Sequence, residues 1–190
     1  IHLVSGKDIK NNIMFIYGLV GLFTKHENVK VRIVDMLDIF KKPIIDIKLF
    51  NDDFNNVFGA LENDVLTRDE KSGYAINIVI GAGQYKKHLS KGGIEIFHNM
   101  FEKVNESKKI IFILIDDYDK LRTLKLETWF NSVNTNKGIW LGSGSGFSSQ
   151  SLISSNELTT DDKKYDYEGL AYSVTDSKYT VIKTVLDGDE

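Results

Sequence analysis

The chain has no cysteine, which excludes a disulfide framework and a thiolate metal site and fits a reducing, cytoplasmic setting. It also lacks an excess of positive charge. Its 24 basic and 27 acidic side chains leave a net charge of −3, so it offers no basic field for nucleic acid or an anionic membrane surface. The four histidines, His2, His26, His88 and His98, are scattered. Apart from the distant His88/His98 pair none has metal-ligand spacing, and a metal site is not expected. Proline occurs once, at Pro43, before a candidate strand, where its missing N–H costs least. No run is long enough to be a membrane span. Ile13 to Phe23 follows two lysines and could pass for a secretory leader, but Thr24-Lys25-His26-Glu27-Asn28 is no small-x-small cleavage site. The run is also well short of the roughly 20 residues that cross a bilayer, and it reads as a buried helix. What is present, 190 residues with 42% hydrophobic content, suffices for one domain with a sizeable core.

The opening stretch has the shape of a nucleotide-binding βα unit. An apolar strand, Ile1 to Val4, runs into Ser5-Gly6 and a polar loop from Lys7 to Asn12, and then into the apolar helix. With Gly6 laid on the first glycine of the pattern GxxxxGK[ST], the later positions fall on Asn11, Asn12 and Ile13. Asn11 can adopt the left-handed turn but its side chain crowds the approach of backbone N–H groups to phosphate. Asn12 supplies no ammonium for the β- and γ-phosphates, and Ile13 no hydroxyl for Mg²⁺. The stretch is either a relic phosphate loop, with Gly6, Lys7, Asn11, Asn12 and Ile13 as its remnants, or an ordinary strand-to-helix turn.

Further along, Val29 to Asp35 alternates as a strand, with Lys30 and Arg32 set against Val29, Val31 and Ile33. Ile44 to Phe50 is a second such run. Asn51-Asp52-Asp53 caps a helix whose apolar positions Phe54, Val57, Phe58, Leu61 and Val65 fall on one face. Tyr74 to Ile80 is nearly continuous apolar sequence, as for a strand covered on both faces. Gly81-Ala82-Gly83-Gln84-Tyr85-Lys86 begins like a dinucleotide fingerprint, but Lys86 stands where a third glycine is needed, so a tight turn is the better reading. After a break at Gly92-Gly93 a helix carries Ile94, Phe97, Phe101 and Val104 on one face.

Ile110 to Ile115 is the most hydrophobic strand and ends in Asp116-Asp117-Tyr118-Asp119. Apolar residues closed by an acidic pair look like a Walker B segment, whose carboxylates hold Mg²⁺ and position water; alternatively they cap a following helix carrying Leu121, Leu124 and Trp129. Element order favours the other of two registers. The strand before Gly81 then takes the Walker B place, Gly81 and Ala82 replace the acidic pair, and Asp116 and Asp117 sit on the next, sensor-type strand. Gly138 to Gly142 forms a last core strand, and Ser143 to Gln150 reads as flexible Gly/Ser loop with no helical pattern. Leu170 to Val174 and Tyr179 to Leu186 flank Thr175-Asp176-Ser177-Lys178 as a terminal hairpin, followed by an acidic tail, Asp187 to Glu190.

The alternation of strand and helix up to Gly142 specifies an α/β fold: a RecA-like P-loop NTPase type of mostly parallel sheet flanked by helices, with a C-terminal β-hairpin. That order, together with Gly138-Ile139-Trp140-Leu141-Gly142, Gln150 and Tyr167-Glu168-Gly169-Leu170-Ala171-Tyr172, resembles the last ATPase-like domain of the EssC/EccC proteins. These are the FtsK/SpoIIIE-type membrane motor proteins of bacterial type VII secretion. The resemblance covers essentially the whole chain. It implies one degenerate domain over residues 1–190, part of a longer membrane-anchored chain, which its start without Met on a core-like strand also leads one to expect. It implies a place at the cytoplasmic face of the bacterial membrane, with no direct membrane contact from this part. The implied partners are the preceding ATPase-like domains and small WXG-type helical-hairpin substrates.

Active domains of the family carry a P-loop lysine and an acidic pair, which this sequence lacks at Asn12 and at Gly81-Ala82. The implied function is therefore a non-hydrolysing module for regulation, assembly or substrate recruitment, with no cofactor expected and ATP/Mg binding weak at best. The alternative is an active ATPase using Asp116 or Asp117. Phe147, Tyr165, Tyr167 and Tyr172 are either anchors for a docked helix or plain core and loop residues.

Overall fold

Strands without a polar face have to be covered on both sides, and Tyr74–Ile80 and Ile110–Asp117 meet that condition side by side in the middle of the sheet. The computed structural model describes residues 1–26, 28–40, 47–154, 159–160 and 169–183. Its strands are β1 (His2–Gly6), β2 (Val29–Asp35), β3 (Lys48–Phe50), β4 (Tyr74–Ile80), β5 (Ile110–Asp117), β6 (Lys137–Leu141), β7 (Leu170–Thr175) and β8 (Lys178–Lys183). They form one eight-stranded sheet in the order β3-β2-β4-β5-β1-β6-β7-β8. Pairing is parallel from β3 to β6 and antiparallel through β7 and β8. β7 turns into β8 through Asp176 and Ser177, both at positive φ, the geometry that suits a two-residue hairpin loop. Pro43, Ile44 to Asp46, Tyr165, Tyr167 and the tail after Lys183 lie outside the described residues.

The helices are α1 (Ile13–Thr24), α2 (Phe54–Thr67), α3 (Tyr85–His88), α4 (Lys91–Lys103), α5 (Tyr118–Leu121) and α6 (Gly144–Ser149). α2 buries the stripe expected of it, Val57, Phe58, Leu61 and Val65. Against it α4 sets Phe97 and Phe101, both fully buried, and the Tyr85 ring stacks on Phe97 at 4.3 Å. Side chains of this size contribute about 1.5–3 kcal/mol each when buried, which makes this the heavier of the two layers. The opposite layer is α1, whose Ile16 and Val20 pack with Val4, Ile33, Ile78, Ile80 and Ile115. No helix among the described residues is long and apolar enough to cross a membrane.

Five sequence expectations change. α1 is not a buried helix: only Ile16 and Val20 are buried, while Met14 and Leu22 are 44% and 58% exposed, because a helix lying on one sheet buries one stripe of its surface. Gly92-Gly93 does not break α4, since the Ser90 hydroxyl accepts from the Gly93 N–H and starts the helix upstream of both glycines. Asp53 holds the N-cap position of α2 in the left-handed region without a side-chain cap bond; its backbone carbonyl takes Asn56 and Val57 N–H instead. Arg32 is not on a solvated face: it is buried, with Nε donating to Asn77 Oδ1 at 2.6 Å and its guanidinium paired to Asp64. Ser143 to Gln150 is not loop throughout, because the Ser143 hydroxyl accepts from Gly146 N–H and starts α6. Within it Phe147 is 1% exposed and stacks on Tyr172, itself 0% exposed, so both are core residues and neither is available as a docking anchor.

Backbone approach at the strand ends is close enough to specify residue type. A Cβ on Gly83 would lie 2.6 Å from the Lys120 carbonyl oxygen, where main chain on both sides leaves no room to yield. Gly83→Ala is expected to lower unfolding stability by about 1–3 kcal/mol, read as a shift in urea midpoint at unchanged slope; an unshifted midpoint would mean that the two segments are not in contact.

Candidate functional site

Open parallel sheets take ligands at the carboxyl ends of their strands, where successive connections diverge. Here the chain leaves β1 toward β2 on one side and crosses from β5 over β1 to β6 on the other, so the divergence lies at the ends of β1 and β5. Register brings Ser5 opposite Asp116 and Gly6 opposite Asp117. Gly6 meets β6 on its other side, and a Cβ there would lie 2.5 Å from the Leu141 carbonyl oxygen; glycine is needed for strand packing, whatever the loop does.

The loop after β1 is folded on itself. Asp8 Oδ1 accepts the N–H groups of Lys10 at 3.0 Å and Asn11 at 3.3 Å, Asn12 N–H donates to the Ile9 carbonyl at 3.0 Å, and Ile9 N–H donates to Asp117 Oδ1 at 2.8 Å. Asn11 Nδ2 donates to Asp8 Oδ2 and Asn12 Nδ2 to the Asp8 carbonyl at 2.7 Å. Lys10 to Asn12 form a 3-10 turn, and Asn11 is not among the residues at positive φ, so the left-handed turn considered for it is not used. Ile9 is fully buried and Ile13 packs against the α1 core, while Lys7, Asp8, Lys10 and Asn11 are exposed.

The acidic pair is divided between two loops because successive residues of a strand face opposite ways. Asp117 turns toward the loop after β1. Although it precedes α5 it makes no side-chain cap bond there, so the capping role considered for the pair does not hold for it. Asp116 turns to the other face, where it is fully buried and accepts from Asp117 N–H at 2.8 Å, Gly83 N–H at 3.1 Å and, more distantly, Gln84 Nε2 at 3.5 Å. Gly81 (φ 83) and Ala82 are buried, and Gly81 N–H donates to the Ile115 carbonyl at 2.8 Å. The structure thus brings Gly6, Ile9 and Asp117 together, and separately Gly83, Gln84 and Asp116.

Sequence reasoning gave no role to Asp8 or to Asp35. Asp35, at the end of β2 and 1% exposed, accepts Leu37 N–H at 3.1 Å and Phe40 N–H at 2.8 Å. The available signal was an Asp two to five residues ahead of the amides it binds, the Asx-turn pattern.

Laid on the P-loop pattern, these residues lack the groups by which that pattern holds a Mg-nucleotide. At the positions where the P-loop pattern needs a lysine and a hydroxyl stand an amide turned back into its own loop and a packed isoleucine. The end of β4 has no carboxylate, and both carboxylates of β5 already hold backbone N–H groups.

No family model and no curated protein matches the chain. Among solved structures it is similar to the cytoplasmic domain of EssC, with TM-score 0.67 and 13% identity over 96% of this chain and 39% of that one. It is similar to Thermomonospora curvata EccC (ATPases 2 and 3) in complex with a signal sequence peptide, with TM-score 0.62 and 13% identity over 99% of this chain and 37% of that one. It is also similar to the genome packaging NTPase B204 from Sulfolobus turreted icosahedral virus 2 in complex with ATP-gammaS, with TM-score 0.53 and 13% identity over 97% of both chains. The chain therefore spans well under half of the EssC and EccC chains it matches. The likeness establishes the fold, an α/β sheet of the P-loop ATPase type.

Burial pushes the Asp116 carboxyl up from 3.8 to about 6, with the Asp117 charge adding to the shift and hydrogen bonds from Asp117, Gly83 and Gln84 opposing it. An acid with a raised folded pKa keeps a proton that the unfolded chain has released between about pH 4 and pH 6. Its contribution to stability therefore falls as pH rises through that window and levels off above it, by on the order of 3 kcal/mol in all. The difference in unfolding free energy between Asp116→Asn and the parent chain should move in the variant's favour from pH 4 to pH 6.5 and then stay flat. A difference independent of pH would show that Asp116 ionises normally.

Proposed function

We propose that this chain is a degenerate ATPase-fold domain of a type VII protein secretion motor, which does not hydrolyse nucleotide and serves regulation, assembly or substrate recruitment. The observation that carries the reading is Asn12. At the place of the phosphate-binding lysine its side chain donates to the Asp8 carbonyl, and the next residue, Ile13, is partly buried and packs against the α1 core. An anion at the loop would meet no lysine at the pattern's own position and no hydroxyl-held metal, the two groups that neutralise phosphoryl charge in this fold. The alternative, an active ATPase using Asp116 or Asp117, is disfavoured by the same geometry: Asp116 has no exposed surface and Asp117 holds Ile9 N–H. On this reading the chain belongs to a longer protein at the cytoplasmic face of the membrane, next to further ATPase-like domains.

Recruitment is supported by a groove of about 270 Å³ at the other end of the sheet. Ile76, Ile111, Ile113 and Ile139 line its floor, Leu19 and Phe23 of α1 form one wall, and His2, Lys137 and Ser173 stand at its polar side. An apolar trough of this kind suits the apolar face of an amphipathic helix, the form expected for the signal of a WXG-type substrate.

Two measurements test the proposal. Millimolar Mg-ATP should leave the melting temperature unchanged, whereas a ligand at about 100 times its Kd adds about 2.7 kcal/mol and roughly 5–10 °C in a domain of this size; a Mg²⁺-dependent rise of that order would restore the enzyme reading. A helical signal peptide of a WXG-type substrate should bind, and Ile139→Asp should weaken it at least tenfold by putting a charge in the groove floor. Binding unaffected by that change would move the recruitment surface elsewhere.

A further inference from the structure

The loop after β1 is folded back on itself, and two carboxylates from the protein are its anions. Asp8 takes the amides of Lys10 and Asn11, and Asp117 reaches across from β5 to take that of Ile9. We propose that Asp8 and Asp117 form a built-in anionic plug, an autoinhibitory contact that satisfies these three amides and bars phosphate oxyanions from them. This rests on the degenerate reading above and adds a cause to it: the loop is closed by added charge as well as disabled by lost groups.

Chemistry and topology both support the plug. Backbone amides at the start of a helix are acceptor-seeking groups with partial positive charge, and a carboxylate is the side chain that answers them as phosphate does. Asp117 is placed for this by the sheet: Gly6 and Asp117 are register partners, so the carboxylate sits beside the loop's root. Its neighbours of opposite sign, Lys7 and Lys10, are exposed and form no ion pair among the described residues. With Asp8 and Asp117 ionised the local charge is close to balanced, and an incoming phosphate meets two carboxylates at the amides. With both neutralised the side-chain oxygens still accept from the amides, but no carboxylate charge opposes an incoming anion and the two lysines remain.

The test is binding of inorganic pyrophosphate to the parent chain, to Asp117→Asn, to Asp8→Asn and to the double variant, by calorimetry and by the amide NMR shifts of Ile9, Lys10 and Asn11. Asn keeps the shape of each side chain while removing its charge. The double variant is expected to bind at least tenfold more tightly than the parent chain, with those three amides shifting, and each single variant to gain less. If a folded double variant shows no gain, or if the parent's amides respond to pyrophosphate as strongly as the variant's, the plug does not exist. Should the changes at Asp117 disturb folding, exposed Asp8→Asn alone decides the matter, and no gain there overturns the proposal. Tight Mg-ATP binding by the parent chain would instead overturn the degenerate reading, so the two failures are distinct.

Discussion

Backbone N–H groups that leave a buried parallel sheet need an acceptor, because an unpartnered buried donor costs on the order of 1–3 kcal/mol. In this protein carboxylates meet that need at one strand end after another. Asp35 closes the turn after β2, Asp116 ties down the segment after β4 and Asp117 the loop after β1, while Asp8 makes the same kind of bond at the exposed turn into α1. Because Asp116 and Asp117 are consecutive on β5, between β1 and β4 in the sheet, one strand end holds both neighbouring loops. At the edge where such sheets bind ligands, the protein's own acids hold the loop amides.

Asp116 shows what this arrangement costs. A carboxylate with no exposed surface keeps its charge only because two backbone amides point at it, with Gln84 farther off, and burial still raises its pKa to about 6. A hydrophobic residue there would escape that penalty but would leave Gly83 and Asp117 N–H without acceptors, so the acid is the less costly solution.

The strands and the helix stripes were legible in the sequence because their signals are local. The unbroken apolar run of Tyr74–Ile80 and the spacing of Val57, Phe58, Leu61 and Val65 report burial directly. What was misread depends on a partner far along the chain. Arg32 reads as a solvated residue until Asn77 and Asp64 are brought to it. Asp117 reads as a cap or a metal ligand until β5 is set beside β1 and Ile9 N–H arrives, 108 residues away in sequence. The start of α4 turned on Ser90, a hydroxyl whose signal was outweighed by the two glycines after it. At the candidate site the residues that the sequence lacks were visible, but the carboxylate that takes up the loop's amides, Asp8, was not.

The position of the groove bears on how such a domain can work. α1 runs antiparallel to the strands on which it lies, so its first residues, Ile13 onward, adjoin the closed loop, while Leu19 and Phe23 reach the opposite end of the sheet and wall the groove. One helix therefore links the two ends. On its outward side Met14 and Leu22 are exposed. Asp8 and Asp117 hold the loop from which α1 starts. The two carboxylates that hold the loop thus lie at one end of the helix whose other end walls the groove.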